Sequence, residues 1–222
     1  MYNIRYAIDG ATRRNGKEDC VAAGAVLCQV FDYAGPQLNQ VLTVHEYGST
    51  NQRGEMLALL EALTHFCSSD FSECQIITDS EYLFNTIHHD WLTKWSKTWL
   101  TSKGEPVKNK DIWELIFQLL QNHPNKSVNM YHIKGHILPM GKATVAKLLN
   151  TDRTGASLYE ACRDKYDSYE ISDIKLSNLQ ELSVKNNGFE LAPGVQKVFI
   201  SMNKVADAIA GYVVDKADAA CK

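Results

Sequence analysis

The sequence predicts an α/β fold in which a mixed β-sheet carries helices on both faces. Three strand-like segments come first, and their spacing suggests an antiparallel meander. Later strand-like segments alternate with amphipathic helical ones, which is typical of parallel strands. The chain has 222 residues, of which 45% are apolar and 22% are charged, so we expect one globular domain, or one domain with a large insertion.

Five segments have the alternation or the short apolar run of a β-strand. They cover residues 2–8, 24–31, 40–47, 74–79 and 127–136. The first is followed by Asp9 and the fourth ends at Asp79. If these two strands are parallel neighbours, the two aspartates emerge from the same edge of the sheet, which is where sites form in open α/β folds.

Apolar residues at three- and four-residue spacing predict the helices. Ser49 or Thr50 is a candidate N-cap for the first helix, and Ser80 for the second. Further helices are predicted over residues 111–123 and 203–217. The sequences "NNG" and "APG" before the last helix indicate turns.

Charge and cysteine content exclude some classes of protein. A net charge of −3 gives the whole molecule no attraction to nucleic acid or anionic lipid, so any such attraction must be local. The cysteines have no zinc-ligand spacing and are interpreted as reduced, buried thiols; they are at positions 20, 28, 67, 74, 162 and 221. No signal peptide and no membrane-spanning run is recognised, which predicts a cytoplasmic protein without a membrane partner.

Four carboxylates stand where this fold could bring them together, and they belong to Asp9, Glu55, Asp79 and Asp207. Clustered carboxylates repel one another, and divalent cations relieve that repulsion. Hard oxygen ligands suit Mg²⁺ or Mn²⁺, and two such ions can serve phosphodiester hydrolysis. Taken singly, each residue has a simpler interpretation as a turn, cap or surface residue.

Residues 91–110, which we call the handle, differ from the rest of the chain. Five lysines against Glu105 give the handle a charge of +4. Trp91, Trp95 and Trp99 repeat at four-residue spacing. The lysines favour contact with phosphates. The tryptophans could contact nucleic acid, or they could anchor a helical segment to the core along one face.

Five motifs, in this order, resemble those of type 1 ribonuclease H, the enzyme that cleaves RNA in RNA–DNA hybrids. They are "IDGA", "STNQRGEMLALLEAL", "IITDSEYL", "IKGH" and "NKVADAIA", and they contain the four carboxylates and His136. The handle is similar to the basic protrusion with which that family grips the DNA strand. The resemblance covers residues 1–136 and 203–217.

The resemblance implies a ribonuclease H-like fold with a five-stranded mixed sheet flanked by helices. It implies that two Mg²⁺ ions, with Mn²⁺ as a substitute, are held by Asp9, Glu55, Asp79 and Asp207. It also implies that His136 lies on a mobile loop and assists proton transfer or product departure, a role that suits the near-neutral pKa of histidine. The expected protein is a monomer.

The resemblance further implies the contacts to the hybrid. Asn15, Asn51 and Gln52 match residues that contact the minor groove, where the 2′-hydroxyls are displayed. Thr50 and Asn109 match residues that hold a phosphate of the DNA strand. The predicted substrate-binding residues are Asn15, Thr50, Asn51, Gln52, Ser80, Trp91, Lys94, Trp95, Lys97, Trp99 and Asn109.

The chain departs from the family most clearly between His136 and Asp207. Residues 137–202 are expected to be a helical insertion in a catalytic domain formed by residues 1–136 and 203–222. We favour a decoration packed on the edge of the sheet, and a lid or partner-binding surface is the alternative. A smaller departure is Lys204, which stands where other polar residues are common.

The favoured function is an endonuclease that hydrolyses the RNA strand of RNA–DNA hybrids and leaves 3′-hydroxyl and 5′-phosphate ends, in primer removal or hybrid clearance during replication. Two other classes stay open at this point. A non-catalytic hybrid-binding module would be indicated by loss of a carboxylate, and none is lost. A nuclease or integrase of the same superfold could act on DNA, although the minor-groove residues and the handle argue against it.

Overall fold

The chain forms a five-stranded mixed sheet with helices on both faces, as predicted. The computed structural model describes residues 2–15, 17, 19–135, 138, 140–168 and 191–220. The strands are β1 (Asn3–Arg13), β2 (Val21–Asp32), β3 (Gly35–Tyr47), β4 (Glu73–Thr78) and β5 (Ser127–His132). Their order across the sheet is β3-β2-β1-β4-β5; β1, β2 and β3 form the antiparallel meander, and β4 and β5 run parallel to β1.

Seven helices are described in these residues. They are α1 (Asn51–Cys67), α2 (Glu81–His88), α3 (Trp91–Trp95), α4 (Lys110–Asn122), α5 (Lys142–Thr151), α6 (Ala156–Ser168) and α7 (Pro193–Ala220). Thr50 is the N-cap of α1, and its hydroxyl accepts from the backbone N–H of Arg53 at 3.4 Å.

The last helix is longer than the sequence pattern predicts. We expected α7 to begin near residue 203 and the "APG" sequence to form a turn, but α7 begins at Pro193. Proline fits the first turn of a helix, because its fixed φ is helical and its missing N–H has no partner there in any case. The predicted domain boundary between residues 202 and 203 therefore falls inside one continuous helix.

One face of the sheet packs against α1 and α4. Tyr6 and Ile8 of β1 meet Leu59 of α1, and the fully buried Trp113 of α4 belongs to the same core. The close approach of α1 depends on glycine, because a Cβ atom at Gly10 would lie 2.5 Å from the backbone nitrogen of Glu55. This contact fixes where Glu55 stands relative to the end of β1.

The other face packs against α7, and α5 and α6 pack in turn against α7, so the described part of the predicted insertion supplies core residues. Leu158, Tyr159 and Cys162 of α6 are completely buried, and they share one apolar cluster with Leu27 of β2 and Val205 of α7. The favoured expectation of a decoration on the edge of the sheet is thus wrong for α5 and α6. Apolar residues of these helices pack against α7 and extend the core that it forms with the sheet. The division into a catalytic domain and an insertion stays a prediction.

Two smaller expectations can be compared with the described residues. Cys20, Cys28, Cys67, Cys74 and Cys162 are buried and free, as predicted, while Cys221 lies outside the described residues. In the part of the chain that the structure describes, none of the helices has the length and apolar character needed to cross a bilayer.

Candidate active site

Asp9 and Asp79 stand at the same edge of the sheet, because β1 and β4 are parallel neighbours. The pairing of Ala7 with Ile77 places each aspartate two positions further along its own strand direction. Asp9 is buried, with only 6% of its surface exposed, and its Oδ1 accepts from the backbone N–H of Gly10 at 2.6 Å. The predicted adjacency of these two strands is confirmed.

Glu55 reaches this edge from the first turns of α1. Its Oε1 accepts from Nδ2 of Asn51 at 3.0 Å, and its Oε2 accepts from the hydroxyl of Ser80 at 2.5 Å. Ser80 occupies the predicted N-cap position of α2, but its side chain makes no capping hydrogen bond there. The buried hydroxyl orients Glu55 instead.

Asp207 approaches the same edge from α7. Its Oδ2 lies 2.5 Å from Nζ of Lys204, one helical turn earlier, and both side chains are largely buried. Among the described residues, no three histidine, cysteine, aspartate or glutamate side chains are close enough together to hold a metal ion in this conformation. In this conformation the carboxylate of Asp207 contacts the ammonium group of Lys204.

The four acids influence one another electrostatically. Burial raises the pKa of Asp9 well above its ordinary value, and the charges of Asp79, Asp207 and Glu55 raise it further. The pKa of Glu55 is also raised, mainly by burial, while the hydrogen bond from Ser80 lowers it. Each acid makes ionisation of the others less favourable, so the site has a need for positive charge.

The segment after β5 closes over Asp79. A Cβ atom at Gly135 would overlap Oδ2 of Asp79, so the backbone at Gly135 lies directly against that carboxylate. His132, at the end of β5, places its Nε2 3.2 Å from the backbone oxygen of Asp79. His136 itself lies outside the described residues, and its assignment stays a prediction.

Five of the residues predicted to bind the hybrid line one polar cavity of about 650 Å³ beside Glu55. They are Asn15, Thr50, Asn51, Gln52 and Asn109. Asn109 has a left-handed backbone, with φ of 53°, and its Nδ2 donates to Oε1 of Gln52 at 3.1 Å. The structure thus joins residues from three separate segments of the sequence into one surface.

Similarity to known proteins decides the family. The RNase H family profile matches residues 3–147, which is more than half of the chain. The chain belongs to the RNase H family. It is 33% identical over 137 residues to a ribonuclease H of Clostridium botulinum, across 61% of this chain and 85% of the relative. It is 38% identical over 104 residues to a ribonuclease H of Prosthecochloris aestuarii, across 45% of this chain and 66% of that relative.

Solved structures agree on the RNase H fold. The solution structure of the PFV RNase H domain superposes with a TM-score of 0.53 at 20% identity, covering 69% of this chain and 92% of that domain. The crystal structure of LC9-RNase H1, a type 1 RNase H with the type 2 active-site motif, gives a TM-score of 0.50 at 20% identity, covering 60% of this chain and 63% of that one.

The handle is helical only at its two ends. Trp91–Trp95 forms α3, Lys110 begins α4, and Trp99 between them has a left-handed backbone with φ of 55°. Trp95 and Trp99 are partly buried and pack against the core that α1 and α4 share. This packing supports the alternative in which the tryptophans anchor the handle to the core. The side chains of Lys94 and Lys97 are exposed.

Three features of the site were missed by sequence reasoning. Lys108 lines the polar cavity, and its position next to Asn109 was the available signal. Arg53 donates to both Glu46 and Asp111, at 2.7–2.9 Å, and so ties β3 and α4 to the start of α1. Lys204 was noted only as a departure from the family. The available signal for its contact with Asp207 was the spacing of opposite charges three positions apart in the helix predicted over residues 203–217.

Proposed function

We propose that the chain hydrolyses the RNA strand of RNA–DNA hybrids with the help of two divalent cations, and that the products carry 3′-hydroxyl and 5′-phosphate ends. As a member of the RNase H family, it is an endoribonuclease that acts on such hybrids. The observation that carries the metal-dependent part is the buried Asp9 at the sheet edge that it shares with Asp79, where burial raises its pKa and the charges of Asp79, Asp207 and Glu55 raise it further.

The donor set fits hard divalent cations. Asp9, Glu55, Asp79 and Asp207 offer only carboxylate oxygens, which Mg²⁺ and Mn²⁺ prefer and which suit zinc less well. When bound, two such cations supply charge for the attacking and leaving oxygens of a phosphodiester. We assign Mg²⁺ as the working ion and Mn²⁺ as its substitute.

The chain's own residues would hold and orient this donor set. Ser80 and Asn51 each bind one oxygen of Glu55, so both of its oxygens have a fixed direction. The backbone N–H of Gly10 does the same for one oxygen of Asp9. Fixed donors are an advantage in catalysis, because they need no reorganisation during the reaction.

Substrate binding is proposed for the polar cavity and the handle. The amides of Asn15, Asn51 and Gln52 can both donate and accept, which suits recognition of 2′-hydroxyls in the minor groove. Thr50, Asn109 and the exposed lysines of the handle are proposed to contact the DNA strand. His136 follows Gly135, which contacts Asp79, so we propose that it moves protons at the reacting phosphate.

One experiment tests this proposal against its rivals. The purified chain is incubated with labelled RNA–DNA hybrid, duplex RNA, duplex DNA and single strands, each with Mg²⁺, Mn²⁺ or EDTA. We expect cleavage of the RNA strand in the hybrid alone, dependent on metal, with 3′-hydroxyl and 5′-phosphate ends. Cleavage of duplex DNA would support a DNA nuclease, and binding without cleavage would support a non-catalytic module.

A further inference from the structure

Lys204 contacts one of the four carboxylates of the candidate metal site. Its Nζ is 2.5 Å from Oδ2 of Asp207, and the two residues are three positions apart on α7, where side chains face each other. The side chain of Lys204 is only 12% exposed and that of Asp207 23% exposed. A largely buried ammonium group that contacts a carboxylate is a specific ion pair, in contrast to the mobile pairs of protein surfaces.

The site around this ion pair has an excess of negative charge. Asp207 is one of three acids that act on the buried Asp9, together with Asp79 and Glu55. In the absence of metal these carboxylates repel one another, and a nearby ammonium group offsets part of that repulsion. A divalent cation would offset the same repulsion at the same oxygens.

We propose that Lys204 is a built-in counter-cation of Asp207 that competes with the divalent cation for this carboxylate and thereby sets the metal concentration at which the site fills. The inference rests on the proposed function, because it takes Asp207 as a metal ligand. It assigns to Lys204 a positioning role, since the lysine acts on the metal through Asp207.

A cavity beside Asp207 can receive the side chain of Lys204. Lys204 and Asp207 line a cavity of about 520 Å³ between the end of β1, α5 and α7. Tyr212 and Asp215 of α7 line the same cavity, and Asp215 is paired there with Arg13 and Lys142. A lysine side chain has four rotatable bonds and keeps its charge in water by changing rotamer. Nζ can therefore leave Asp207 for this space without a change in the backbone of α7.

The test is a titration of the metal-free protein with Mg²⁺ by calorimetry, without nucleic acid. We expect Lys204→Gln to lower the half-saturating Mg²⁺ concentration by roughly three- to tenfold, because the competing charge is gone. Lys204→Arg should raise it, since a guanidinium group can bind the carboxylate through two hydrogen bonds. The matched control is Lys142→Gln. Lys142 lines the same cavity as Lys204 but pairs with Asp215, at 3.0 Å, and not with Asp207. The Lys142→Gln variant should bind Mg²⁺ as tightly as the wild type.

Thermal unfolding supplies a second readout. In EDTA, Lys204→Gln should unfold at a lower temperature than the wild type, because the carboxylates lose a counter-charge. At saturating Mg²⁺ this difference should disappear. A loss of stability that persists at saturating Mg²⁺, together with unchanged or weaker Mg²⁺ binding, would overturn the proposal and leave Lys204 as a structural residue. If Lys204→Gln folds only with metal, the Lys204→Arg titration still decides the question.

Asp79→Asn separates this inference from the proposed function. If Asp79→Asn binds Mg²⁺ as well as the wild type, the metal site itself is wrongly assigned. If Asp79→Asn loses Mg²⁺ binding while Lys204→Gln and Lys204→Arg bind like the wild type, only the competition by Lys204 is refuted.

Discussion

Replacing Asp9 with asparagine should abolish hydrolysis and at the same time stabilise the metal-free protein. The amide oxygen of the new side chain would keep the acceptor for the Gly10 N–H, which is 2.6 Å from Oδ1 in the wild type, but the substitution would remove the buried charge. An amide is a much poorer ligand for a hard cation than a carboxylate, so activity is lost. Binding of the hybrid should be largely retained.

The gain in stability follows from the pKa of Asp9. Burial and the charges of Asp79, Asp207 and Glu55 raise that pKa in the folded state. The folded state then binds more protons than the unfolded state, so its free energy of unfolding falls as pH rises above the ordinary pKa of aspartate. Each unit of a raised pKa corresponds to about 1.4 kcal/mol at neutral pH. We therefore expect Asp9→Asn to raise the free energy of unfolding at neutral pH, with Tm rising by about 2–4 °C for each 1 kcal/mol gained in a chain of this size.

Urea unfolding in EDTA at pH 7.5 and at pH 4 measures this effect, and the gain should be larger at the higher pH. Asp152→Asn is the matched control with the opposite sign. Hydrogen bonds from Thr154 and Ser157 lower the pKa of Asp152 to about 2, so its replacement should destabilise the protein. If Asp9→Asn is no more stable than the wild type in EDTA, or still hydrolyses the hybrid at the wild-type rate, our account of the carboxylate site is wrong.

Three further predictions concern the handle, Ser80 and α6. Replacing Lys94, Lys97 and Lys103 with alanine should weaken hybrid binding and make it less dependent on salt. The slope of log affinity against log salt concentration should fall by about 0.9 for each lost phosphate contact of a B-form duplex, whereas Lys147→Ala on α5 should leave it unchanged. An unchanged slope in the triple variant would show that these lysines are only a solvated face. Ser80→Ala should slow hydrolysis and move the acid limb of the pH–rate profile to higher pH, because the hydrogen bond from Ser80 lowers the pKa of Glu55. A weaker affinity for the hybrid, without this change in the profile, would indicate that Ser80 contacts the substrate directly. Tyr159→Ala should lower the free energy of unfolding in urea by about 3–5 kcal/mol, because the ring is fully buried. Alanine at the fully exposed Tyr33 should lower it by less than about 0.5 kcal/mol. A small loss at Tyr159 would restore the interpretation of α6 as a decoration.

Much of the fold could be predicted from local pattern, because the signals that define a strand or a helix are local. Alternation and apolar runs located all five strands, and Thr50, one of the two candidate caps, is the N-cap of α1. The start of α7 was missed, since the "APG" sequence is compatible with both a turn and the first turn of a helix. Packing of Phe199 and Ile200 in the core resolves this ambiguity in favour of the helix.

The sequence by itself determined which residues belong to the candidate site, because Asp9, Glu55, Asp79 and Asp207 lie in motifs whose order is a property of the chain. The tertiary structure alone decided what their side chains contact. The hydroxyl of Ser80 orients Glu55 rather than capping α2, and the backbone at Gly135 lies against the carboxylate of Asp79. These contacts depend on how α1, α2 and the segment after β5 are placed against the sheet. That placement is set by close packing between distant segments, such as the approach of α1 to Gly10, and no local pattern contains it.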